Sequence, residues 1–187
     1  MTDFTLIATD EELVNFINAN LYDPWTGTPY EGYRYLDNKQ KGNYGEIFAS
    51  KILEKDGLVV EKAKKSNDSY DRKIGDYKVE IKFSLSHTDH KKKSTKKDQF
   101  TLNHVALEKN WDRLVFVGIN YEDSDSIGKF MEKSDFEKLM KDSDEFYNYF
   151  SRQQGGKKSN NDDYISTGKK LKNLINSDYM KDLSEWN

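Results

Sequence analysis

A carboxylate and an ammonium stand two residues apart in the run Lys78-Val79-Glu80-Ile81-Lys82-Phe83-Ser84. Val79, Ile81 and Phe83 alternate with polar neighbours, which is the period of a half-buried strand. Glu80 and Lys82 therefore project from the same face, about 7 Å apart at Cα by two strand rises. Asp71 lies nine positions before Glu80, and Gly75-Asp76 between them is a hairpin turn signal. The hairpin sets Asp71 at the start of one strand and Glu80 with Lys82 on its antiparallel neighbour. Mg²⁺ takes oxygen ligands in octahedral geometry and usually keeps several waters, so two carboxylates suffice to hold it; Mn²⁺ is the expected substitute. Such an ion polarises a phosphorus centre and acidifies an attacking water. Lys82 would orient or deprotonate that water and offset developing negative charge. The competing reading is a solvated charge pair on an ordinary strand face. Asp76 rivals Asp71, but an Asp beside Gly is at home in a turn for local reasons, which favours Asp71.

These side chains need a scaffold. The pattern predicts strands at about 58–62, 69–74, 77–84, 99–107 and 113–120. Leu114-Val115-Phe116-Val117-Gly118-Ile119 is continuously apolar, as in a strand covered on both faces by helices. A helix is expected from Asn43 to Lys55, ended by Asp56-Gly57, with Ile47, Phe48, Ile52 and Leu53 facing the core. Its Glu46 lies on the more polar side, toward the catalytic strands. Thr9-Asp10-Glu11-Glu12 and Ser134-Asp135-Phe136-Glu137 read as capping boxes of two further helices. The first carries Leu13, Phe16 and Ile17 as an apolar stripe. Residues 21–38, with both prolines, read as a loop. A helix is expected over Ser143–Arg152, a loop over 153–167, and a terminal helix around Leu171, Leu174 and Ile175. The fold class is α/β, a central mixed five-stranded sheet flanked by helices with N- and C-terminal additions. A length of 187 residues suits one domain.

Asp71, eight intervening residues, then Glu80-x-Lys82 in an apolar frame resembles the PD-(D/E)XK nuclease superfamily. The resemblance runs from about Lys41 to Ser84 in the order helix, strand, Asp strand, Glu-x-Lys strand. Lys41-Gly42-Asn43-Tyr44-Gly45-Glu46-Ile47-Phe48 is similar to the helix that precedes the core strands in these nucleases. There a Gly-Glu pair often supplies a further carboxylate, which maps to Glu46. Tyr70 replaces the proline of the superfamily's name. The resemblance implies a restriction-endonuclease-like core over about 41–120. It also implies catalytic Asp71, Glu80, Lys82 and Glu46, with the three carboxylates as Mg²⁺ ligands. About forty residues precede this core and about one hundred follow Lys82. The chain is thereby most like a type II restriction endonuclease, with about 130–187 available for DNA recognition or dimerisation. A resolving or repair nuclease, and a non-catalytic DNA-binding module, are the alternatives.

The net charge of −3 hides an asymmetry. Residues 62–97 carry twelve Lys/Arg against five Asp/Glu, a balance of +7, leaving −10 for the remainder. The densest basic stretch holds Lys91, Lys92, Lys93, Lys96 and Lys97, directly after the Glu-x-Lys strand. A basic loop there suits a phosphate backbone. Lysine runs are otherwise solvated loops. Gln99 and Asn103, at the same strand parity as Thr101, could bond bases. So could Gln153, Gln154, Lys157 and Lys158 in a polar segment, since amides pair bidentately with adenine and lysine reaches guanine or phosphate. The expected partners are double-stranded DNA and a second copy of the chain.

The remaining features mostly exclude. There is no cysteine, hence no disulfide framework and no thiolate zinc site, which fits a reducing cytoplasm. No basic segment followed by an apolar run opens the chain, and no eighteen apolar residues are consecutive. His87 and His90 lack a third ligand. His104 is expected to be packed in its strand, and a His-Asn-His nuclease built on Asn103-His104 lacks supporting context. No Walker loop, dinucleotide glycine fingerprint or Gly-x-Ser-x-Gly elbow is present.

Overall fold

The computed structural model describes residues 11–63, 69–89, 94–95, 99–121, 126–153 and 163–186. The expected capping residues Thr9 and Asp10 lie outside them, as do His90, Lys91, Lys92, Lys93, Lys96, Lys97, Gln154, Lys157 and Lys158.

The hairpin forms as its alternation dictates. Strand β2 (Arg72–Ile74) pairs antiparallel with β3 (Tyr77–Leu85), with Arg72 opposite Val79 and Ile74 opposite Tyr77. Gly75 opens the two-residue turn at φ 59, the left-handed region that Gly enters without a Cβ clash. Outside β2 lies β1 (Val60–Lys62). On the other side β3 runs parallel to β7 (Arg113–Ile119), with Glu80 opposite Leu114 and Lys82 opposite Phe116. Beyond β7 come β8 (Ile127–Glu132) and β11 (Lys181–Asp182), both antiparallel.

The central sheet is therefore mixed, as expected, but six-stranded rather than five-stranded, in the order β1-β2-β3-β7-β8-β11. The expected strand 99–107 is β6 (Thr101–Ala106), and it leaves this sheet to pair with β10 (Asp163–Thr167). With β9 (Ser151–Arg152) these make a second, three-stranded sheet. The segment 153–167, expected as loop, thus holds a strand whose Tyr164 and Ser166 are buried. Strands β4 (Thr88–Asp89) and β5 (Ser94–Thr95) form a small ribbon.

Helices cover both faces of the main sheet, which explains the unbroken apolar run in β7. Helix α1 (Glu11–Asn20) leaves its expected apolar stripe residues Leu13 and Phe16 exposed. Helix α2 (Asn38–Lys55) lies against Ile74, Val79, Ile81, Val115 and Val117 through Ala49 and Leu53. It begins five residues earlier than its pattern implied. Asp37 accepts from Gln40 N–H at 2.8 Å, and Gln40 Oε1 accepts from Asp37 N–H at 2.9 Å, a capping box. Ile47, expected in the core, faces outward. Gly45 takes the contact instead, because a Cβ there would lie 2.4 Å from Phe83 Cβ.

Leu114, Phe116 and Met131 face the other core, built with Phe100, Leu102 and Trp111. Helices α3 (Lys133–Lys141), α4 (Ser143–Tyr149) and α5 (Gly168–Ile175) close it. The expected Ser134 capping box is absent. Glu132 is the N-cap without a side-chain bond, and Lys133 N–H donates to Asp112 O at 2.8 Å. No described helix is long and apolar enough to cross a membrane.

Candidate active site

Strand β3 turns Glu80 away from α2, onto the face of Leu114 and Phe116, where it is 2 % exposed. A carboxylate so deeply buried needs partners. Lys82 Nζ lies 2.8 Å from Glu80 Oε1, as the strand period requires for residues two apart. Lys109 Nζ reaches the same oxygen at 2.6 Å. The other oxygen, Glu80 Oε2, is buried without a hydrogen-bond partner.

Asp71 sits at the bend leading into β2. Its N–H donates to Val79 O at 2.9 Å, and its Oδ2 accepts from Ile81 N–H at 2.7 Å. The main chain on both sides of Glu80 thus pins the Asp71 carboxyl beside it. Asp76 remains exposed in the turn. Burial, then the Glu80 charge and more weakly that of Glu46, push Asp71 up to about 6, against the lowering pull of the Ile81 amide and Lys82.

Glu46 comes from α2 and is held by Arg72. Arg72 Nη1 donates to Glu46 Oε2 at 2.7 Å and to Asp71 O at 2.8 Å, while its Nε donates to Ser50 Oγ at 3.1 Å. Opposite Val79 in register, Arg72 faces the helix, whereas Asp71 and Glu80 face the other core. The buried guanidinium ties α2 to the first residue of the acidic pair. Glu46 lies near enough to raise Asp71, but its near neighbour is a cation rather than the other carboxylates.

The donor set suits a divalent cation. Glu80 Oε2 is an orphaned buried acceptor, and burial together with the neighbouring carboxylate makes ionising Asp71 more costly than usual. A positive charge between the two would relieve both costs. Among the described residues no group of three His, Cys, Asp or Glu side chains is assembled to hold an ion. Two carboxylates and several waters are an ordinary Mg²⁺ shell, and they would be Asp71 and Glu80.

The amides gather elsewhere. Gln99 and Asn103 line a cleft of about 670 Å³ together with Thr101. A smaller cleft of about 300 Å³ shares Tyr33, Lys41, Phe83 and Asn103 with it and adds Lys82 and His104. His104 is not the packed strand residue expected. Opposite Ile165, residues Asn103 and His104 form a bulge, since Leu102 pairs with Ser166 and Val105 with Tyr164. The bulge puts His104 at φ 52 and leaves it exposed, with Nδ1 at 2.8 Å from Asp163 Oδ2. Gln153 Oε1 accepts from His104 N–H at 3.1 Å. His87 Nε2 lies 2.7 Å from Thr101 Oγ1.

Two participants escaped the sequence pattern. Lys109 stands in the polar turn Glu108-Lys109-Asn110, twenty-nine residues from Glu80, with no local mark. Burial pulls its ammonium down, but Glu80, with Asp71 and Asp163, outweighs that and leaves it raised. Arg72 did carry a signal. Next to Asp71 in an extended strand it must face the opposite side, toward the helix that bears Glu46. No protein-family model matches the sequence, and no curated protein is significantly similar to it.

Proposed function

We propose that this chain is a Mg²⁺-dependent DNA endonuclease, acting as a sequence-specific type II restriction enzyme on double-stranded DNA in the cytoplasm. One observation carries the reading. The carboxyl of Glu80, buried, and that of Asp71, half-buried, lie side by side at the β2–β3 hairpin, with Lys82 Nζ 2.8 Å from Glu80 Oε1. Buried like charges kept together, against their mutual repulsion, are typical of functional sites.

In the reaction a water adds to phosphorus and the bond to the leaving sugar oxygen breaks. The bound ion would acidify that water and offset charge on the phosphoryl oxygens. Asp71 and Glu80 would hold it in their ionised forms. Lys82, largely buried and paired to Glu80, would orient the attacking water and balance negative charge in the transition state. Arg72 and Glu46 hold α2 against the hairpin and so fix Asp71. Each chain offers one such site and a duplex has two strands. A two-fold homodimer would present both sites to a palindrome.

The test is plasmid incubated with Mg²⁺, with Ca²⁺ and with chelator. Discrete fragments in Mg²⁺ alone are expected. Asp71→Asn and Glu80→Gln should each lose at least ~100-fold in cutting rate, since even outer-sphere partners of a metal are worth about 10–100-fold. Both should still bind duplex in Ca²⁺. Cutting in chelator, or full activity in either variant, would reject the assignment. Nicking without discrete fragments, or preference for a four-way junction, would move the chain to the repair or resolving class.

A further inference from the structure

The larger cleft lies beyond Lys82 on the same strand, and its lining is unusual in charge. Arg34 and Lys41 contribute cations, and among the described residues no Asp or Glu lines it. That charge suits an anion rather than a second metal ion. Two of its lining residues bury a polar atom without a partner, Arg34 Nη1 and Ser86 Oγ. Ser86 is 2 % exposed, and its own N–H is already given to Ile119 O at 2.9 Å, so the hydroxyl alone is left over. Unsatisfied donors buried in a built cleft call for an acceptor from outside.

The size and walls narrow the choice. A volume of about 670 Å³ falls in the range of sites for whole small molecules, and a lone phosphate would leave most of it empty. Trp25 forms part of the wall, and the rings of Tyr33 and Phe83 stand beside it, 5.6 Å apart at their centroids. Planar faces of this kind hold nucleobases by stacking. Gln99 and Asn103 on the facing strand edge present amides that can pair with a base edge. The loop bearing Trp25, Tyr33 and Arg34 is braced by Asp23, which accepts from Trp25 N–H at 2.9 Å and Gly32 N–H at 2.7 Å.

We propose that this cleft takes one nucleoside monophosphate unit, its phosphate on Arg34 Nη1 and Ser86 Oγ and its base against Tyr33 and Phe83. In duplex DNA that unit would be a nucleotide turned out of the stack, an arrangement that rests on the nuclease reading above. A free nucleotide would offer the same chemistry.

Two arms separate the sources, and neither needs cleavage. First, wild type, Arg34→Gln and Ser86→Ala are titrated with deoxynucleoside monophosphates and with inorganic phosphate, followed by calorimetry. The nucleotide should bind more tightly than phosphate, and Arg34→Gln should weaken it about tenfold or more, as expected when a charged hydrogen bond is removed. Ser86→Ala, a small change with little risk to folding, should weaken it several-fold. Second, duplexes carrying 2-aminopurine are bound in Ca²⁺. A rise in emission that Arg34→Gln abolishes identifies the extruded nucleotide; nucleotide binding without that rise identifies the free one. Nucleotide bound no better than phosphate, with emission unchanged in duplex that is nonetheless bound, overturns the proposal and leaves the nuclease reading standing. Absence of Mg²⁺-dependent cutting with nucleotide binding intact does the reverse.

Discussion

Lys109 Nζ lies 2.6 Å from Glu80 Oε1, the same carboxylate oxygen that Lys82 Nζ approaches at 2.8 Å. Two ammoniums share one oxygen while its twin, Oε2, has no hydrogen-bond partner. Lys109 therefore competes with any cation for Glu80. Lys109→Met should lower the Mg²⁺ concentration for half-maximal binding by about 3- to 10-fold, the scale of a neighbouring partner's influence on a metal site. Calorimetric titration of the two proteins measures it. An unchanged or weaker Mg²⁺ affinity would show that Lys109 does not compete with the ion.

The raised pKa of Asp71 has a defined consequence for stability. Its carboxyl moves from 3.8 to about 6 on folding, so between those values the folded chain binds more protons than the unfolded one. Stability then falls as pH rises through that window. Two units amount to on the order of 3 kcal/mol. Denaturant melts in chelator should give a wild-type minus Asp71→Asn difference that grows more unfavourable to wild type from pH 4 to pH 6, then levels. A flat difference would mean that Asp71 ionises normally. Cutting should also rise with pH, but at lower values than the melts in chelator show, because the charge of Mg²⁺ favours the Asp71 carboxylate.

Gly45 is the point where α2 meets β3. The clash of an added Cβ would be with Phe83 Cβ itself, which no rotamer change can move. Gly45→Ala gains helix propensity worth about 1 kcal/mol, but the overpacking should cost about 1–3 kcal/mol. A thermal melt should show no gain in stability, and cutting should fall because Arg72 and Asp71 shift with the helix. A more stable and fully active variant would contradict the packing described.

Replacing Lys91, Lys92, Lys93, Lys96 and Lys97 by Gln tests the basic segment. Every lysine that neutralises a phosphate adds about 0.9 to the slope of log affinity against log salt, so its replacement should flatten the slope by that amount. Binding in Ca²⁺ at several salt concentrations measures it, and an unaltered slope would remove these lysines from the interface.

What could be read from the sequence was local. The hairpin of β2 and β3 follows from strict alternation and a Gly-first turn, and β7 from its apolar run. Glu80 and Lys82 meet because the strand period alone brings them together. The start of α2 was hidden by the Asp37–Gln40 cap, which follows a loop rich in Tyr and Gly. Strand β10 was hidden because Ser166 and Asp163 read as loop residues, although Ser166 is fully buried. The allotment of β6 to a second sheet and of β8 and β11 to the first depends on pairing between distant segments. So does Lys109, whose approach to Glu80 exists only once β7 has returned alongside β3.

That return has a kinetic side. Asp71 and Glu80 are brought together by a hairpin of adjacent strands, whereas β3 and β7 are parallel and need a long crossover. Hairpins close in microseconds, and distant parallel pairings come later. The acidic couple therefore forms before Lys109 can arrive to neutralise it. Screening by salt should slow the late stage of refolding, because it weakens the attraction between the arriving Lys109 ammonium and the acidic couple, and a stopped-flow rate indifferent to ionic strength would deny it. Assembly of this chain thus ends at the spot where its chemistry is proposed to begin.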